Sequence, residues 1–195
     1  MSSKFYASFV AAGYQAPQER PPVLLGFELL RDFNGVENVS YMSGDVIIHV
    51  SRGTARKKDL IADAAILTGT ENISKRMSME RKRLAILLAR FPKHKVYLVG
   101  HSLAGRIVLN LIKENVNRIE KAIAFNPGSS VSHLARGVKN SALCKVNKKA
   151  GVCKARRKSL IFGRDKDIIS ILGILDAPSK NVEIKKGFHS LDQYL

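Results

Sequence analysis

Short β-branched apolar runs alternate along this chain with longer stretches that are apolar only at every third or fourth position. The first pattern predicts buried strands and the second amphipathic helices. Residues 4–14 (KFYASFVAAGY) read as a helix, and the prolines of 16–22 (APQERPP) break it. Residues 37–42 (ENVSYM) read as a short strand, Ser43-Gly44-Asp45 as a turn, and 46–51 (VIIHVS) as a β-branched strand. A helix is expected over 57–67, with Leu60, Ala64 and Leu67 on one face. A longer one is expected over 74–91, with Met77, Leu84, Leu87 and Leu88 inward and basic side chains outward, ended by Pro92. Then follow a strand over 95–99, a helix over 103–115 and a strand over 121–125 stopped by Asn126-Pro127-Gly128. Two more strands are expected at 159–163 and 181–185. This alternation predicts an α/β fold with a mostly parallel central sheet, in which ligands sit at the carboxyl ends of the strands.

The chain has 195 residues and carries no repeat or Pro/Gly-rich linker, so one domain is expected over 1–195. No apolar run reaches the roughly 20 residues needed to span a bilayer. FYASFVAAGY fits a secretory signal poorly, since little charge precedes it and Ser8 and Gly13 dilute it; an amphipathic first helix is the expectation. Nothing in the chain specifies a compartment. The formal charge is +17, with 33 Lys+Arg against 16 Asp+Glu. A field of that sign concentrates anionic partners, or serves solubility alone. Cys144 and Cys153 either close a small loop or stay as two thiols. No His or Cys completes a metal-binding spacing around them, so no zinc site is expected.

The chemistry centres on Gly100-His101-Ser102-Leu103-Ala104-Gly105, between the strand KVYLV and an apolar helix. A strand buried on both faces must turn sharply to feed a helix that packs back on the sheet. The residue at the apex is strained and projects above the sheet edge, and its neighbours two positions away must be small. Gly100 and Ala104 meet that demand around Ser102. Ser102 would then be a nucleophile, with the Leu103 N–H pointing at a developing oxyanion. The competing reading is a plain helix N-cap. A serine nucleophile needs a base and an orienting acid, which follow it in that fold in the order acid, then His. His49 lies inside a strand, His94 at a helix end and His101 beside the serine, pointing away. His133 is in a loop. His189, in Gly187-Phe188-His189-Ser190-Leu191 past the last strand, is best placed as base. The acid is Asp165 or Asp167, both just beyond the strand at 159–163; spacing does not separate them.

These residues resemble the class-3, fungal-type lipases of the α/β-hydrolase fold, and within them the compact lipase-like proteins of large DNA viruses. FPKHKVYLVGHSLAG looks like the family's strand and elbow, and VIIHVSRGTARKKDLIADA like its strand, RGT and following helix. KAIAFNPGSS, GRDKDIIS and FHSLDQYL look like the next strand and the segments bearing the acid and the histidine. YASFVAAGY and GFELLRDF fit the usual prelude. The resemblance implies Ser102 as nucleophile, His189 as base and Asp167, which precedes Ile168, as acid. It implies Thr54 and the Leu103 N–H as oxyanion donors. Two features depart from the family: Ala104 stands where a glycine is usual, and no long apolar lid lies between RGT and the elbow.

Residues 136–158 carry nine Lys/Arg and no acid. Placed between two strands of the sheet, this insert is expected over or beside the site. Lys145, Lys148, Lys149, Lys154, Arg156, Arg157 and Lys158 would form a docking surface for anionic phospholipid head groups. Nucleic acid is the less favoured partner, because no aromatic residue in the insert can stack a base; a solvated hairpin is the plainest reading. The function expected is a serine esterase or lipase cleaving a lipid carboxylic ester through an acyl-enzyme, with no metal or organic cofactor. The alternative is a non-catalytic lipase-fold structural protein, such as a virion component, binding membrane or nucleic acid through its basic surface.

Overall fold

A computed structural model of the chain describes residues 1–53, 70–128, 151–164, 181–185 and 195. An N-terminal helix α1 (Ser3–Tyr14) and a 3-10 turn (Pro17–Glu19) precede four strands: β1 (Val23–Leu24), β2 (Phe27–Asn34), β3 (Asn38–Ser43) and β4 (Val46–Ser51). Then follow α2 (Thr70–Arg90), β5 (Lys95–His101), α3 (Leu103–Glu114), β6 (Ile119–Phe125), α4 (Gly151–Arg157), β7 (Ser159–Arg164) and β8 (Asn181–Lys185). The strands form one sheet in the order β1 to β8. Strands β1 to β4 pair antiparallel; β4 to β8 pair parallel, so half of the sheet is a parallel array with all its carboxyl ends at one edge.

Strict alternation builds two cores, one on each face. Ile47, Val96, Leu98, Ala122, Ala124 and Ile161 face α2, α3 and α4. Ile48, Val50, Val99, Ile123, Phe125 and Phe162 face α1, whose Tyr6, Phe9 and Val10 are buried. The topology explains the asymmetry. Right-handed crossovers that always step in the same direction place all their helices on one face. The N-terminal helix, which belongs to no crossover, covers the other. Residues 3–14 thus form the amphipathic helix that the sequence predicts, started by Ser2, whose hydroxyl accepts from the Phe5 N–H.

The strands expected at 37–42, 46–51, 121–125, 159–163 and 181–185 are present within a residue or two, as is the helix after the elbow, α3, while α2 begins at Thr70, four residues before the expected start. Met77, Leu84, Leu87 and Leu88 are buried on α2 as the pattern requires. The expected helix at 57–67 lies outside the described residues. The hairpin β1–β2 was not legible in the pattern. It turns through Leu25 and Gly26, both at positive φ, as a two-residue hairpin loop demands. The broken APQERPP segment also does more than end a helix. Buried Arg20 donates to the carbonyls of Ala12 and Gly13 at the end of α1, and to Asn34 Oδ1 and Gly35 O in the β2–β3 turn. It satisfies the orphan carbonyls of the helix and locks α1 to the hairpin.

Cys153 is disulfide-bonded, which takes up the bridged alternative for that residue. No helix among the described residues is long and apolar enough to cross a membrane.

Candidate active site

The parallel register brings Ser51, Gly100 and Ala124 side by side, and His101 beside Phe125, which pairs in turn with Phe162. One residue past β5 the chain reverses into α3. Ser102 makes that reversal with φ 57° and ψ −125°. A non-glycine residue there is strained by roughly 1–3 kcal/mol, and such strain persists only where the surroundings over-determine it. They do. The Ser102 N–H donates to Phe125 O at 2.9 Å, and its carbonyl accepts from the N–H groups of Arg106 and Gly128 at 3.2 and 3.0 Å. The next strand end is sewn in the same way: Asn126, also at positive φ, donates its N–H to Phe162 O at 2.7 Å.

The side chain of Ser102 makes no capping hydrogen bond to α3. This removes the N-cap reading: a capping serine sits in the extended region and accepts from the second or third helical N–H. As the first residue of α3, Leu103 has no intrahelical acceptor for its N–H. Gly128 lies alongside, and a Cβ on it would come within 3.6 Å of the Leu103 nitrogen.

Small residues close the turn as expected. Ala104 is fully buried, and a Cβ on Gly100 would meet the Ala104 carbonyl carbon and oxygen at 2.5 Å. Gly105 is the third tight position, with Pro127 Cα and the Gly100 and Phe125 carbonyl oxygens at 3.2–3.3 Å from its imagined Cβ.

The end of β4 reaches the same place. Gly53 packs so close that a Cβ would lie 2.6 Å from the His101 carbonyl oxygen and 2.4 Å from the Tyr14 hydroxyl. Tyr14 Oη is 2.9 Å from His101 Nδ1. So the last residue of α1 bridges the β4 end and the residue before Ser102. His101 is buried here, and its Nδ1 is engaged by Tyr14. Burial pushes the Tyr14 phenol up to about 12, against lowering by nearby Arg52, the Gly53 backbone and Arg76. A raised folded-state pKa means the native chain holds its proton where the unfolded chain has lost it, so stability falls as pH rises from 10 to 12. Across those two units the loss is roughly 2–3 kcal/mol. Denaturant titrations from pH 9 to 12 are expected to show it, and Tyr14→Phe to remove that part of the slope.

Beneath the β4 end lies a buried polar cluster that the sequence reading did not find. His49, inside a strand as expected, is fully buried with Nδ1 2.8 Å from Ser40 Oγ and Nε2 3.7 Å from Glu80 Oε2. The second distance is too long for a hydrogen bond. Glu80, fully buried on α2, accepts from Ser51 Oγ at 3.0 Å and Asn38 Nδ2 at 3.4 Å. Arg76 lies 3.3 Å from Glu80 Oε1, pairs with Glu37, and donates to the carbonyls of Glu37 and Arg52 at 2.9 Å each. Burial alone would raise the Glu80 carboxyl; His49, Arg76 and Ser51 outweigh it and hold it below the ordinary carboxylate range. The signal was present in sequence: Met77, Glu80, Leu84 and Leu87 share one helical face, so an acid stands in an apolar stripe.

Thr54, Asp165, Asp167, His133, His189, Lys145, Lys148, Lys149 and Cys144 lie outside the described residues. Strands β7 and β8 end at Arg164 and Lys185, at the same edge as Ser102. Asp167 follows the first by three residues and His189 the second by four. Of the basic insert, α4 is a packed helix with buried Ala155 rather than a solvated hairpin. Lys154 donates to Asn117 Oδ1 at 2.8 Å and Lys158 to Ile119 O at 2.7 Å. These contacts lie at the amino ends of β6 and β7, so this part of the insert sits at the sheet edge opposite Ser102. That corrects the expectation of a position over the site, because a helix that feeds a parallel strand must end at that strand's amino end. Among the described residues, no group of His, Cys, Asp and Glu could hold a metal ion.

No family model and no curated protein sequence matches the chain. Solved structures do. The Lip2 lipase of Yarrowia lipolytica matches with a TM-score of 0.61 and 16% identity over 93% of this chain and 77% of its own. The N225Q mutant of MDLA from Penicillium cyclopium matches with 0.55 and 16% over 96% and 78%. A triacylglycerol lipase from Penicillium expansum matches with 0.50 and 10% over 94% and 78%. Likeness at that identity is likeness of fold: the chain has the α/β-hydrolase fold in the form seen in fungal lipases.

Proposed function

We propose that this chain is a serine hydrolase that cleaves a lipid carboxylic ester, a phospholipid or an acylglycerol, through an acyl-enzyme. The observation that carries the reading is Ser102: a strained, non-capping serine at a strand-to-helix reversal on the carboxyl edge of a parallel sheet. Strain without a stabilising side-chain bond is the signature of a residue held for chemistry. Support comes from the fold shared with fungal lipases and from the sequence positions of Asp167 and His189, three and four residues past the carboxyl ends of β7 and β8. Adjacent strands are ~4.8 Å apart, which sets β7 and β8 about 10 and 14 Å from β5. Extensions of three and four residues reach about 11 and 14 Å before any side-chain length is added.

In this reading His189, oriented by Asp167, takes the Ser102 proton as Oγ attacks the ester carbonyl. The Leu103 N–H and Thr54 hold the oxyanion. Collapse expels the alcohol, which takes the proton from His189 and leaves an acyl-serine. Water, deprotonated by the same histidine, attacks the acyl carbon; as the carboxylic acid leaves, His189 returns the proton to Ser102 Oγ. The basic residues Lys145, Lys148 and Lys149 would hold anionic lipid head groups; Lys154, Arg156, Arg157 and Lys158 belong to the part of the insert at the opposite sheet edge. The kinship with compact viral proteins rests on the quoted segments alone.

The test is covalent labelling of the native chain with a fluorophosphonate, followed by peptide mapping. One adduct on Ser102, together with release of fatty acid from a phospholipid or monoacylglycerol, is expected. A folded chain that takes no label in detergent overturns the reading.

A further inference from the structure

We propose that Arg76 and Glu80 of α2 are positioning residues that hold the carboxyl end of β4 at the elbow, and so set the strength of the oxyanion hole. The inference rests on the reading of Ser102 as nucleophile. Three contacts converge on two successive residues of the strand end. Glu80 takes the Ser51 hydroxyl, Arg76 takes the Arg52 carbonyl, and the Arg52 N–H is fixed to Glu37 O at 2.8 Å. Glu37 is also the ion-pair partner of Arg76, so the turn before β3, the end of β4 and the helix form one unit. The next residue, Gly53, lies against the His101 carbonyl, one peptide from Ser102. Beyond Gly53 comes the threonine proposed as the second oxyanion donor.

The cluster is poorly explained as a stability device. Burying two charges costs much of what their attraction returns, and apolar side chains of like volume often serve a core as well. A carboxylate and a guanidinium do what apolar groups cannot: they fix a hydroxyl and a carbonyl in direction as well as distance. An oxyanion donor needs that, since its benefit depends on being preorganised. Misplacement of about 1 Å costs on the order of 100-fold in rate.

The experiment compares Glu80→Gln, Arg76→Met and Ser51→Ala with the native chain on a soluble short-chain ester. Glu80→Gln and Arg76→Met are expected to lower kcat about 10- to 100-fold, with KM within about twofold. Fluorophosphonate labelling should slow, and affinity for a boronic acid that mimics the tetrahedral intermediate should fall, by matching factors. Ser51→Ala, which removes one hydrogen bond and keeps both charges, should lower kcat about fivefold and gives the readout if either larger change prevents folding. Arg81→Met, which breaks only the exposed pair between this residue of α2 and Glu114 of α3, should change none of these. A purely structural role would lower the melting temperature and leave kcat intact well below it; that result overturns the proposal while the hydrolase reading stands. A native chain that neither labels nor hydrolyses overturns both.

Discussion

Ser102→Ala is expected to abolish ester hydrolysis, with kcat lower by about 10⁴-fold or more and no fluorophosphonate adduct at any residue. His189→Ala should fall by a similar factor, and the double variant should fall little further, because a nucleophile and its base act as one unit. Asp167→Asn should lose nearly as much through the wrong histidine tautomer, whereas Asp165→Asn should stay close to native. A reversed order for these two asparagine variants would move the acid to Asp165 and leave the rest of the reading intact. Residual hydrolysis by Ser102→Ala within tenfold of native would end the claim for this serine.

A second readout of the same position separates function from stability. Ser102 sits at φ 57° with no capping bond to offset the strain. Glycine takes that conformation freely. Ser102→Gly should therefore be inactive and yet more stable than native by about 1 kcal/mol, measured by urea unfolding. Ser102→Ala, still strained, should gain nothing. Loss of activity joined to gain of stability is the mark of a residue kept for its reaction.

Both-face burial made the parallel strands legible. VIIHVS and KVYLV are apolar runs bounded by turn residues, and only a sheet covered on both sides tolerates them. The elbow was legible for a steric reason, since glycine, serine and alanine at that spacing between a strand and a helix have few other uses. Strand β2 was not. FELLRDFN places two leucines together and three charged residues within reach of solvent, so no period of two emerges, and its outer position in the sheet leaves much of it half-exposed. Glu80 was hidden by its neighbours. In MERKRLAILLAR the run of charges reads as a solvated face, and only the helical angle of residue 80 relative to Met77 and Leu84 points it inward. The acid and the base are a different matter. Their assignment to Asp167 and His189 comes from resemblance, because convergence in space of three distant segments is not a property of any local pattern.

Gly100→Ala should be among the most damaging single methyls that can be added to the described residues, because everything it meets is backbone. At most positions one more carbon displaces a side chain that can rotate away. Here the new Cβ would lie 2.5 Å from the Ala104 carbonyl carbon and oxygen and 2.8 Å from the Gly105 nitrogen, all backbone of the first turn of α3. Relief requires α3 to move off β5. But α3 is held by Ile107, Val108, Leu111 and Ile112, all buried against the sheet and its neighbours, and cores pack too densely to yield cheaply. The expected loss is about 3 kcal/mol or more, seen as a lower urea midpoint at unchanged slope. Activity should fall as well, because the same displacement carries the Ser102 hydroxyl and the Leu103 N–H out of line with each other. Ala104→Gly should not rescue Gly100→Ala, because the clash is with the Ala104 and Gly105 backbone and not with the Ala104 side chain. Full native stability in Gly100→Ala alone would mean that the turn is looser than the contacts between Gly100 and Ala104 require, and with it the case for a rigidly held nucleophile would fail.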